Sequence, residues 1–110
     1  MSLRSTSECL HTFGNAATAT IAVLPAVAGK RIAVYRMVLS NAAAATVTLQ
    51  DTGANALSQQ FQLPAGAVPT VMETQQNGDY WFVTTAVGLG LQFVQGGTVN
   101  IGWDVWYMMV

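Results

Sequence analysis

Three observations predict an all-β fold, a single sandwich of about eight antiparallel strands preceded by a short N-terminal arm. Turn-forming residues punctuate the chain at intervals of roughly 8–12 residues. The runs between them are rich in Val, Thr, Ile, Leu and aromatics, and the clearest ones alternate with period two. No segment sustains helical periodicity, and the Ala-rich stretch 41–45 is too short to form a helix of consequence.

The turn signals are Gly14-Asn15, Ala28-Gly29-Lys30, Ser40-Asn41, Asp51-Thr52-Gly53, Pro64-Ala65-Gly66, Asn77-Gly78-Asp79, Gly88 and Gly96-Gly97. They delimit runs near 16–23, 30–40, 45–50, 56–63, 67–73, 80–85, 89–95 and 98–108. Residues 1–14 are left as the arm and 15–110 as the sandwich domain. Run 30–40 is apolar on both sides: Ile32, Val34 and Val38 share one with Arg36, while Ala33, Tyr35, Met37 and Leu39 form the other. A strand of that kind is covered on both faces. Tyr80-Trp81-Phe82-Val83 poses the same question, because one face of four bulky residues in a row looks outward unless a partner covers it.

In the last run Val99, Ile101, Trp103, Val105 and Tyr107 fall on the core side, and Asn100, Gly102, Asp104, Trp106 and Met108 on the other. The run before it has Leu89, Leu91 and Phe93 on one side. The two runs are expected to pair through a three-residue Gln95-Gly96-Gly97 turn, which sets Phe93 opposite Val99, Leu91 opposite Ile101 and Leu89 opposite Trp103, with a Gly in the left-handed region. A two-residue turn would set Phe93 against Asn100, apolar against polar.

Composition narrows the function. Only 8% of residues are charged, against roughly 25% in ordinary soluble domains. Ser, Thr, Asn and Gln contribute thirty residues, so the polar positions are mostly neutral. The net charge of −1 argues against a nucleic-acid binder held by phosphate contacts. No apolar stretch is long enough for a membrane span, and residues 1–8 lack the apolar core of a signal peptide. So little charge does little to resist association, which points to a surface covered by sister subunits or a larger assembly.

Catalytic constellations are sparse, and the chain is expected to be no enzyme. One Cys and one His do not make a Cys-rich or His-only metal site, and no cofactor is implied. His11, with Glu8 and Cys9 beside it, reads as part of a polar arm. The carboxylates Asp51, Glu73, Asp79 and Asp104 fall on different runs; a pairing of Glu73 with Asp104 across strands stays open. Asp51-Thr52-Gly53 has the form of the aspartic-protease triplet, but that chemistry needs two such aspartates. Between two strands it reads as a turn, with Asp51 capping the backbone and Gly53 at positive φ. Gly88-Leu89-Gly90-Leu91 is no phosphate loop, since no helix follows it.

The interaction candidates are Arg36, Tyr35, Trp81, Trp106 and Met108. Trp103 and Tyr107 are assigned to the core, leaving Trp106 as the surface ring, suited to a protein interface or to a glycan. Lys30 and Arg31 are read as solvated at a strand start. Arg36 lies mid-strand among apolar neighbours and calls for an acidic partner, Asp104 or Glu73, from its own chain or a neighbour's.

The order and spacing of several short β motifs carry a resemblance. They are the segment 28–39 (AGKRIAVYRMVL), Asn41 and Thr46-Val47-Thr48-Leu49-Gln50-Asp51, then Leu63-Pro64-Ala65-Gly66, Trp81-Phe82-Val83-Thr84-Thr85 and the closing segment 95–102 (QGGTVNIG). Over roughly residues 20–107 the chain resembles small β-sandwich proteins of tailed-phage virions. The resemblance implies a jelly-roll-like module that decorates or cements a capsid, binding the major capsid protein at subunit junctions, often as a homotrimer. It implies a place on the virion surface after synthesis in the host cytoplasm, and no catalytic residues. A glycan- or receptor-binding module of a tail fibre or spike is the alternative, and an immunoglobulin-like sandwich is the alternative fold.

Overall fold

A computed structural model describes residues 10–65, 70–73 and 82–110. These form nine strands and, among the described residues, no helix. The strands are β1 (Leu10–Ala16), β2 (Thr20–Leu24), β3 (Ile32–Asn41), β4 (Ala45–Asp51), β5 (Phe61–Leu63), β6 (Thr70–Glu73), β7 (Phe82–Val83), β8 (Leu91–Gln95) and β9 (Ile101–Met109).

Two antiparallel sheets pack face to face. The first runs β1-β9-β3-β6, with β7 also paired to β3; the second runs β2-β8-β4-β5. Setting the two-residue β7 aside, the chain alternates between sheets except at the β4–β5 pair. Eight strands so ordered form the two nested Greek keys of a jelly roll.

Alternation decides what is buried. Ile21 and Val23 of β2, Val47 and Leu49 of β4, Leu91 and Phe93 of β8, and Ile101, Trp103 and Val105 of β9 all point into one core. Val99 and Tyr107 pack against it, so the face assigned to the last run holds. Gly14 lets β1 pass close over Trp103, since a Cβ there would lie 2.9 Å from the indole.

β3 departs from simple alternation. Its inward residues are Ile32 and Val34, then Met37 and Leu39. A bulge intervenes: Val34 lies opposite Tyr107 of β9, but Arg36 lies opposite Trp106. The extra residue switches the parity of the strand. That switch turns Arg36 away from the core it would otherwise enter; before it, Ala33 and Tyr35 are buried as well as Ile32 and Val34, so the first half of the strand is covered on both faces, as expected.

Several expectations are corrected. The boundary at residue 14 falls inside β1, because Leu10 to Ala16 pair with Tyr107 to Ile101 of β9. Gly14-Asn15 is therefore strand rather than turn. β8 and β9 form no hairpin: β8 pairs with β2 and β4, and β9 with β1 and β3. The Gln95–Gly97 segment is instead a corner between sheets, and neither of its glycines has positive φ. A side chain supplies what the turn register was asked to supply. The buried Gln95 amide donates to Thr18 O and Val99 O, both at 2.8 Å, and accepts from Val99 N at 2.9 Å.

At the far end Asp51 ties the sheets together. It is fully buried at the end of β4. Its Oδ1 accepts from Gly53 N (3.0 Å), Asn55 N (3.1 Å) and Asn55 Nδ2 (2.9 Å). Its Oδ2 accepts from Thr85 N (3.0 Å) and Thr85 Oγ1 (2.7 Å). Thr84 next door accepts from Ile32 N and Arg31 Nε, which joins this knot to β3. Burial pushes the Asp51 carboxyl up, but the Thr85 and Asn55 hydrogen bonds outweigh it and bring it from 3.8 down to about 2. The segment 51–53 is thus the capped turn expected of it, except that Ala54, with φ 62°, holds the left-handed position rather than Gly53.

Candidate docking face

The outer face of the first sheet is built by register. β1, β9 and β3 lie side by side, and two rows of outward residues cross them. One row is His11, Trp106 and Arg36; the other is Phe13, Asp104 and Val38. On β6 the backbone positions that continue these rows are Glu73 and Val71.

The first row is a stack. The His11 ring lies 4.5 Å from that of Trp106 with 23° between their planes. Arg36 Cζ lies 4.5 Å from the centre of the Trp106 ring. His11 on β1 and Arg36 on β3 flank β9 on either side, and both contact the indole. Guanidinium–indole contacts of this kind contribute about 0.5–2 kcal/mol. His11 also meets Asp104 of the other row, with Nε2 2.8 Å from Oδ1. Phe13 extends the array along β1, its ring 5.8 Å from His11, and it is 72% exposed. A phenyl ring so exposed is no part of the core.

Arg36 and Trp106, chosen from the sequence, are thus in direct contact. Met108 follows Trp106 on the outward parity of β9 and is half-buried. Tyr35 is corrected: it is 5% exposed and offers no surface for docking. Trp81 lies outside the described residues, as do Glu8, Cys9 and Asp79. Asp104 is turned to His11, while Glu73 stands directly opposite Arg36 in the β3–β6 ladder. Arg31 is not simply solvated, since its Nε donates to Thr84 O at 2.7 Å.

His11 and Phe13 were missed because residues 1–14 read as an arm. The available signal was the alternation of His11, Phe13 and Asn15 with Thr12, Gly14 and Ala16, which a glycine in mid-strand weakened.

His11 and Asp104 form an acid–base pair, but no described nucleophile adjoins them. Among the described residues, no group of three or more His, Cys, Asp or Glu is placed to hold a metal. Asp51 and Asp104 belong to different sheets. A shallow depression of about 490 Å³ lies elsewhere, lined by residues including Ala44, Thr46, Leu63, Pro64, Gly97 and Val99, none of them ionisable. No protein-family model matches the chain, and no curated protein or solved structure is significantly similar to it.

Proposed function

We propose that this chain is a structural virion protein that docks on the outside of a phage capsid at subunit junctions and stabilises the shell. The observation that carries this reading is the row Phe13–His11–Trp106–Arg36, exposed at its Phe13 end and already stacked before any partner arrives. Preordered rings lose little side-chain freedom on docking, which leaves more of the burial free energy for affinity. The scarcity of charge supports the same reading, because so few like charges do little to resist association. Modest contacts repeated over a lattice add up when one docked molecule bridges two subunits. A sugar platform needs an indole with an open face; the flanking of Trp106 by His11 and Arg36 favours a protein partner over a glycan.

The test is co-sedimentation of purified protein with undecorated capsids, followed by heating. Bound protein should raise the temperature at which the shells open, and Phe13→Asp should abolish both effects while leaving the circular dichroism of the free protein unchanged. Failure of the wild-type chain to sediment with capsids would sink the proposal.

A further inference from the structure

Each sheet of a sandwich ends in two edge strands, and exposed edges invite pairing unless they are blunted. In the second sheet, β2 carries a register shift between Ala22 and Leu24 and is followed by Pro25. β5 is only three residues long and is followed by Pro64. In the first sheet, β6 is four residues long and shares the flank of β3 with β7. β1 differs from all three. It runs straight for seven residues, Leu10–Ala16, with no register shift, no Pro and no Lys, Arg, Asp or Glu.

The ladder shows which groups of β1 face that edge. Val110 exchanges both backbone hydrogen bonds with Arg31, and Asn100 O accepts from Ala42 N. Even-numbered residues of β9 therefore turn their N–H and C=O toward β3, and odd-numbered ones toward β1. The β1 residues opposite those odd positions, Leu10, Thr12, Gly14 and Ala16, bond inward. His11, Phe13 and Asn15 are left with N–H and C=O directed to an edge that no described strand covers.

We propose that this edge pairs with β1 of a second copy, antiparallel across a two-fold axis through Phe13. In that register Phe13 meets its own symmetry mate, His11 meets Asn15, Thr12 meets Gly14 and Leu10 meets Ala16. The three outward-facing residues make about six backbone hydrogen bonds, two for each closely bonded pair. No like charges oppose, because the sole ionisable residue of β1 faces an amide. Inward residues meet inward residues, so both cores stay closed and the two outer faces join into one surface. The exposed Phe13 rings come side by side on the axis, where an aromatic cross-strand pair adds to the ladder. The pairing goes beyond capsid docking and needs no capsid.

Light scattering on the purified chain at about 100 µM tests it without any capsid present. The expected mass is twice the 11.6 kDa of one chain. Phe13→Pro removes the central N–H at an edge position where proline is tolerated, and should weaken association at least tenfold with the circular dichroism unchanged. In a second arm, Phe13→Asp sets two carboxylates against each other on the axis and should likewise weaken association at least tenfold. A monomer or a trimer from the wild-type chain would overturn the proposal. So would a Phe13→Pro or a Phe13→Asp chain that stays fully dimeric.

Discussion

On the outer face of the first sheet stand His11, Phe13, Arg36, Asp104 and Trp106; on that of the second stand Thr20, Ala22, Thr46, Thr48, Gln50, Gln62, Gln92 and Val94. Both are the outward half of the same alternation, and both cover the same core. The second is neutral, its side chains short or joined by contacts such as Gln92 Nε2 to Gln50 Oε1 at 3.2 Å. The first gathers rings and opposite charges that a sandwich does not need in order to close. Inward positions are dictated by burial, so the outward ones carry whatever distinguishes the molecule. Here the distinction falls on one side only, and substitutions that uncouple the faces or exchange their character break or sharpen it.

The largest expected effect comes from the knot that holds the two sheets in relation. Asp51→Ala removes the buried carboxylate that accepts from Gly53, Asn55 and Thr85 and should cost about 3 kcal/mol, seen as a fall in Tm of roughly 12–15 °C. The carboxyl is lowered in the folded chain, from 3.8 to about 2. Its stabilisation is therefore complete above about pH 4 and is lost as the pH falls toward 2. Asp51→Asn should remove that acid-side step from a plot of stability against pH. A mutant curve parallel to wild type between pH 2 and 4 would assign the acid sensitivity to other groups.

How far the sequence foretold this arrangement depends on what each residue answers to. Ile101, Trp103 and Val105 were legible because burial imposes a strict period of two on β9. The corner at Gly96-Gly97 was not. A glycine pair between two strands is equally the mark of a hairpin and of a crossing between sheets, and what separates them is Gln95, which bonds across the corner through its side chain. The bulge before Arg36 was hidden for a related reason. Residues 32–35 are buried on both faces, as the pattern reads, and nothing in it marks the extra residue that switches the parity before Arg36. Trp106 could be picked from its parity and Arg36 from its charge among apolar neighbours, but their contact depends on that bulge. The His11–Asp104 bond joins residues 93 apart in the chain, and no local pattern encodes it.

The next effect in size separates the faces by binding. Trp106→Ala removes the centre of the stack and should weaken capsid binding about 30-fold or more, the scale of a hot-spot residue, while Thr48→Ala on the other face should change it less than about twofold. Equal losses from both would mean that the neutral face docks as well. Exchanging character tests the point from the other side. Phe13→Lys and Thr48→Lys each place a cation on an outward strand position and should shift stability by no more than about 0.5 kcal/mol. Only Phe13→Lys should abolish co-sedimentation.

The smallest effect is expected at the most conspicuous polar contact. His11 and Asp104 meet at 2.8 Å, yet their side chains are 38% and 44% exposed. Pairs so open to solvent are screened by water and salt and contribute about 0–1 kcal/mol at most. Asp104→Asn keeps an oxygen able to accept from His11 Nε2 and removes only the charge. Its stability by urea titration should stay within about 0.5 kcal/mol of wild type, and the difference should shrink further as salt is raised toward 1 M. If the variant instead loses more than about 1 kcal/mol, or the loss persists in high salt, the charged row helps hold the first sheet together. The two outer faces would then differ in structural duty as well as in what they present to a partner.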